Sequence, residues 1–216
     1  MFYLYLSFLF TFVTTSSICY VNDLYIKNDE DFVYMKKKNQ YRDIIPTVAK
    51  NCFIYIPIIT TFSEYNININ YNNNEFNLYQ CICHIFVAYL LIDFFFYICH
   101  LIMHIPLLYK WSHKLHHKYK YTVGMEALYL HWFDLSFGNI LPLNLPIILM
   151  PNLHIITWML YIVIIITVTV LSHGLILKND HDIHHIYFNF NYGTGLYMDK
   201  IFNTVKKNIP ISIKES

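Results

Sequence analysis

Residues 78–117 read LYQCICHIFVAYLLIDFFFYICHLIMHIPLLYKWSHKLHH. The run from Leu78 to Cys99 is almost wholly apolar and long enough to cross a bilayer, for which about 20 residues suffice. Five histidines follow it directly, His100 and His104 as H-x-x-x-H, then His113, His116 and His117 as H-x-x-H-H. On a helix, positions i, i+3 and i+4 share a face, so each group can aim its imidazoles at one point. Neutral imidazole is the commonest metal ligand. The stretch therefore reads as a membrane helix that delivers a metal site to its own end.

Outward from there, 56% of the 216 residues are hydrophobic and 13% charged, against about a quarter charged in an ordinary soluble domain. That excludes a disordered tail and disfavours a secreted disulfide scaffold. Five cysteines scattered through apolar runs give no disulfide framework, and Cys81-x-Cys83 lacks the partner pair of a zinc site. A net charge of +1 supplies no field for nucleic acid. Leu153–Leu177 is a second clear span. Leu135–Met150, with Pro142 and Pro146, predicts a kinked helix that forms a hairpin with it across Pro151-Asn152. Ile44–Phe62 is a weaker run, interrupted by Pro46, Lys50 and Pro57. The first 20 residues are apolar without a basic flank; they read as a retained anchor, with a cleaved leader as the alternative. The expected fold is an all-α integral membrane protein with four or five embedded helices.

If these segments alternate across the bilayer, Lys27, Lys36, Lys37, Lys38 and Arg42 share one side with Lys110, Lys114, Lys118 and Lys120. The tail lysines Lys178, Lys200, Lys206, Lys207 and Lys214 join them. Tyr65–Asn77 and the Pro151 turn, which lack Lys and Arg, fall opposite; Lys50 alone is unplaced. The positive-inside rule makes the basic side cytoplasmic. The histidine clusters lie at that boundary.

Of twelve histidines, His181, His184 and His185 repeat H-x-x-H-H near the C-terminus. A lone histidine is usually a packing residue, but clusters of matched spacing are not explained that way. So many imidazoles exceed one ion's needs, and two ions held mainly by histidine is the simplest stoichiometry. Imidazole suits zinc, copper, iron and nickel alike, so ligand type does not choose the metal. His84, within the span, and His154, at the opposite turn, are left aside. Asp93 lies seven residues before His100, nearly on its face. An intramembrane acid is a functional candidate, and a carboxylate behind a ligating imidazole would fix its tautomer. Asp182, Glu126 and Asp134 are further candidates for the same role.

The His100–His117 stretch resembles the core signature of the fatty acid hydroxylase/sterol desaturase superfamily. Gly124-Met-Glu-Ala127 followed by His131 is similar to its sterol C4-methyl oxidase branch. Ser172-His173-Gly174 resembles the isolated His-Gly element. His181-Asp-Ile-His184-His185, Asn191-Tyr-Gly193 and Asp199-Lys-Ile-Phe-Asn-Thr204 resemble the C-terminal block. With a gap, the match runs from about Asp93 to Thr204. It implies an N-terminal anchor region over 1–77 and a catalytic domain over 78–210, in the endoplasmic reticulum membrane, with the histidines facing the cytoplasm. It further implies two iron ions on His100, His104, His113, His116, His117, His173, His181, His184 and His185, with His131 a further candidate. O2 would be co-substrate, and electrons would come from NAD(P)H through cytochrome b5 to act on a membrane lipid or sterol. The expected activity is C–H hydroxylation or desaturation, closest to sterol C4-methyl oxidation. Sterol C5 desaturation and fatty-acid or sphingolipid hydroxylation are the alternatives. A catalytically inactive metal-binding relative is an alternative of another class. A metal transporter fits less well, since between His154 at its start and His173 near its end the 153–177 run carries only hydroxyls.

This chain departs from the pattern in places. Only seven residues separate His173 from His181, where sterol-acting relatives have a longer segment. Leu101 replaces a basic residue, Met198 a tryptophan and Asn203 a glycine, and Phe133-Asp134 stands in place of the Pro and Glu of the C4-methyl oxidase pattern.

Overall fold

The computed structural model describes residues 2–23, 31–66, 69–72, 75–150, 153–174 and 180–206. Lys27, the Pro151-Asn152 turn, most of the short segment after His173, and the tail lysines Lys178, Lys207 and Lys214 lie outside the described residues.

The chain is an all-α membrane protein. Four helical stretches are long and apolar enough to cross a bilayer: Tyr3–Val21, Lys38–Thr61, Leu78–Met103 and Ile155–His173. Their outward faces carry Phe10, Phe53, Ile58, Phe86 and Val168, all exposed, as lipid-facing helices require and a soluble bundle would not tolerate.

Helix α1 (Phe2–Val21) packs along helix α7 (Ile155–His173). The 3-10 turn Gly124–Leu128 packs against the end of α1 through Gly124. A β-carbon there would stand 2.7 Å from that of Cys19, so only hydrogen fits. The second span is helix α2 (Asp31–Lys50) continued by a π-helical turn, Asn51–Tyr55, into helix α3 (Ile56–Asn66). Pro46 and Pro57 interrupt the apolar pattern but not the rod. At its middle, buried Asn51 donates both amide hydrogens inward, to the carbonyls of Leu128 (2.8 Å) and Leu130 (2.9 Å). Lys50 lies in this span with its ammonium over the Tyr55 ring.

Helix α4 (Leu78–Met103) starts where the Asn77 side chain accepts the Gln80 N–H at 3.0 Å. It runs four residues beyond Cys99 and so carries His100 in its last turn. Pro106 then opens the short helix α5 (Pro106–Trp111). A second π-helical turn (Asp134–Ile140) leads into helix α6 (Leu141–Ile148), which holds Pro142 at its start and Pro146 inside it. The expected hairpin with the 153–177 run is looser than predicted. Helix α6 lies chiefly along α4, and α7 along α1. The retained link is the Tyr161 hydroxyl donating to the Leu143 carbonyl at 3.2 Å, beside a shared cluster of Ile147, Trp158 and Tyr161.

A two-residue parallel bridge, β1 (Ile69–Asn70) with β2 (Leu153–His154), ties together the starts of α4 and α7. Both helices end among the histidines, so they run parallel from a strand end to a histidine end. Lys118, Asp43 and Tyr119 join at that histidine end, with Lys118 and the Tyr119 hydroxyl both donating to the Asp43 carboxylate. The N-terminal helices are thereby fastened to the histidine-bearing segment.

Candidate metal centre

The local structure around the histidines follows from where the membrane helices stop. His100 lies in the last turn of α4 and His104 caps that helix. His113, His116 and His117 occupy a 3-10 turn, His113–Lys118. His173 ends α7, and helix α8 (Asp180–Tyr187) brings His181, His184 and His185. These elements converge, and the nine imidazoles sort into two groups. His100, His104, His113, His117 and His184 form one; His116, His173, His181 and His185 form the other. Within each, the ligand nitrogens all lie within 4.8 Å of one another. The neighbours His116 and His117 serve different groups.

Hydrogen bonding fixes which nitrogen faces inward. His100 Nδ1 donates to the Tyr192 carbonyl at 2.8 Å, His184 Nδ1 to the Phe190 carbonyl at 2.7 Å, and His173 Nδ1 to the Thr169 carbonyl at 2.8 Å. A carbonyl only accepts, so each Nδ1 carries the proton and each neutral ring turns a bare Nε2 lone pair inward. His113 is held likewise, its Nδ1 2.8 Å from Asp134 Oδ2. In the first group, Nε2 atoms of His117 and His113 are 3.1 Å apart, of His184 and His117 3.1 Å, and of His104 and His184 3.2 Å. In the second, the spacings are 3.4 Å for His173–His116, 3.0 Å for His181–His173 and 3.2 Å for His185–His181. His117 has at most one Nε2 proton to offer two lone pairs, and His100 Nε2 is buried with no hydrogen-bond partner. A cation at each convergence resolves this. With metal–nitrogen bonds of about 2.1 Å, neighbouring imidazole nitrogens around one ion stand about 3.0–3.4 Å apart. The donor set therefore fits two metal ions.

Burial keeps six of the imidazoles in the neutral, ligating form. Burial first, and the neighbouring His113 second, push His104 down to about 3. His116, His117, His181, His184 and His185 are held well below the usual histidine range, again by burial and then by neighbouring imidazoles.

His131 belongs to neither group. It packs beside Trp111, ring centroids 5.1 Å apart, while its Nδ1 accepts the Phe133 N–H at 3.4 Å. It sits among aromatic side chains in the irregular segment between the Gly124–Leu128 turn and the Asp134–Ile140 turn. Asp93 does not back His100 as expected. Its carboxylate accepts from the Thr194 hydroxyl and the Gly195 and Met198 amides, while a main-chain carbonyl takes the His100 proton. Asp134 is the carboxylate that meets an imidazole. Asp182 accepts from Thr122, which also donates to the His173 carbonyl. The carbonyls of Phe190 and Tyr192 were missed. Their only sequence signal was Asn191-Tyr-Gly193, a motif without an assigned task.

Glu126 is turned away from the imidazoles, toward the N-terminal helices. Its Oε2 accepts from Val123 N (3.0 Å) and Gln40 Nε2 (2.7 Å). Burial raises its carboxyl to about 8 despite those bonds. The folded state thus holds a proton that the unfolded chain releases near pH 4.5. This contribution to stability is complete below that pH and is lost as pH rises through about 8. Thermal unfolding of Glu126→Gln should therefore gain on the parent between pH 5 and pH 8. An unchanged difference across that range would contradict the assignment.

The family model described as fatty acid hydroxylase matches residues 85–204, just over half of the chain. Among curated proteins, fatty acid hydroxylase domain-containing protein 2 of Homo sapiens is 32% identical over 114 residues, covering 50% of this chain and 34% of that protein. A Delta(7)-sterol 5(6)-desaturase of Eremothecium gossypii is 34% identical over 110 residues, 47% of this chain and 31% of its own. A fatty acid hydroxylase of Mycosarcoma maydis is 29% identical over 126 residues, 56% and 33% respectively. The matched region spans about a third of the length of these relatives. No solved structure matches the chain.

Proposed function

This chain belongs to the fatty acid hydroxylase family, and on that premise we propose that it is a membrane oxidoreductase that holds two iron ions and uses O2 to hydroxylate or desaturate a lipid C–H bond. The observation that carries the proposal is the pair of buried histidine groups at the ends of apolar spans. His100, His104, His113, His117 and His184 would hold one iron, and His116, His173, His181 and His185 the other. Bound iron supplies redox chemistry for an unactivated C–H bond that no side chain can attack. The chain's own part is to present neutral imidazoles from fixed directions and to keep water from the buried nitrogens. A site at the end of membrane helices suits a substrate arriving from the bilayer. The lysines and Arg42 at the histidine end support a cytoplasmic orientation, in the endoplasmic reticulum membrane, facing a cytochrome b5 that delivers electrons from NAD(P)H.

Two finer readings have separate support. Gly124-Met-Glu-Ala127 favours sterol C4-methyl oxidation, although Gly124 and Glu126 here serve packing against Cys19 and Gln40. The sterol 5(6)-desaturases among the relatives favour C5 desaturation equally. Expression in yeast lacking either enzyme, with sterol profiling, separates them. Clearance of 4-methyl sterols supports the first and restored 5(6)-desaturation the second. Stable, iron-loaded protein that rescues neither strain would sink both sterol assignments and leave another lipid substrate or an inactive relative.

A further inference from the structure

On both sides of the short helix near 200, between residues 188 and 203, the backbone leaves regular structure. Phe188, Asn191, Leu196 and Asn203 all adopt left-handed conformations, with φ of 56°, 57°, 60° and 57°, unfavourable for L-residues and least so for asparagine. Two buried carboxylates and one amide hold this shape. Asp199, in helix α9 (Tyr197–Ile201), accepts from Tyr192 N (2.9 Å), Gly193 N (2.7 Å) and the Thr204 hydroxyl (2.7 Å). Asp93, from within α4, takes the Thr194, Gly195 and Met198 donors. Gly193 lies between them; a β-carbon there would stand 2.5 Å from Asp93 Oδ1 and 2.9 Å from Asp199 Oδ2. Asn191 donates to the carbonyls of Asp180 (3.0 Å) and Lys206 (2.8 Å) and accepts the Lys206 N–H at 2.8 Å.

This knot points toward one half of the centre. Its carbonyls at Phe190 and Tyr192 take the Nδ1 protons of His184 and His100, both in the five-histidine group. The Tyr192 ring also lies against His100, His104 and His184, at centroid distances of 5.8, 5.1 and 5.4 Å. In the other group, His173 is oriented by Thr169 of its own helix. We propose that Asp93 and Asp199 are positioning residues for one metal ion only, that of His100, His104, His113, His117 and His184, acting through the 190–192 backbone. This rests on the two-metal reading above.

The test uses the full chain in lipid nanodiscs, loaded with 57Fe and challenged with a chelator while Mössbauer spectra follow each iron. Asp199→Asn and Asp93→Asn each keep the side chain's shape but set an amide N–H against backbone N–H groups. In each, one iron component should be released about 10- to 100-fold more readily, the usual cost of disturbing a ligand's outer partner. The other component should stay within about twofold of the parent. Thr204→Val removes a single hydrogen bond to Asp199, and it should show the same selectivity at several-fold. It also decides the matter if the aspartate variants do not accumulate. Equal release of both irons, or no change in either, would overturn the proposal. A parent chain that binds no iron would instead overturn the two-metal reading.

Discussion

Replacing His117 with alanine should release one metal ion, and replacing its neighbour His116 should release the other. Adjacent residues of a 3-10 turn face directions about 120° apart, and here that difference sends them to separate groups. His117 Nε2 stands 3.1 Å from both His113 and His184, so its loss opens the middle of the five-histidine group. His116 Nε2 stands 3.4 Å from His173 in the four-histidine group. On the proposed function, lipid oxidation should be lost in each single variant, because the redox step depends on the metal. Metal analysis after mild chelation should find one ion in each and none in the double variant. Loss of both ions from either single variant would show one shared site rather than two.

The second large effect is expected at Asp134. It is fully buried, and its Oδ2 accepts the Nδ1 proton of His113. Asp134→Leu would leave that N–H without an acceptor and free the ring to turn. Iron affinity of the five-histidine group should fall about 10- to 100-fold, with activity following. Asp134→Asn retains an acceptor oxygen and should cost clearly less. Equal losses in the two variants, measured by iron titration, would mean that charge rather than the hydrogen bond is what His113 needs.

Much of this was legible because two signals are strong in one dimension. Apolar runs longer than a bilayer's width and histidines at helical spacing depend only on neighbours in the chain. Thus α4, α7 and all nine imidazoles of the two groups were found from sequence. Partnership across the fold was less legible. Asp93 and His100 share a helical face, which suggested contact, yet the carboxylate is taken by amides more than a hundred residues later. His131 followed a matching motif, but a motif does not say which way a ring points. The second span looked broken at Pro46 and Pro57, since local propensity carries no record of Asn51 anchoring the rod to Leu128 and Leu130. Asn203 in place of glycine is explained by its φ of 57°, a conformation asparagine tolerates better than most residues.

The most direct test counts and inspects the metal in the intact chain. Full-length protein in nanodiscs, loaded with iron, should hold two ions per chain. Iron-edge X-ray absorption should show shells dominated by imidazole nitrogen at about 2.1 Å, the ordinary range for a metal–imidazole bond. One ion per chain, or an oxygen-dominated shell, would contradict two histidine-held metals at the membrane boundary.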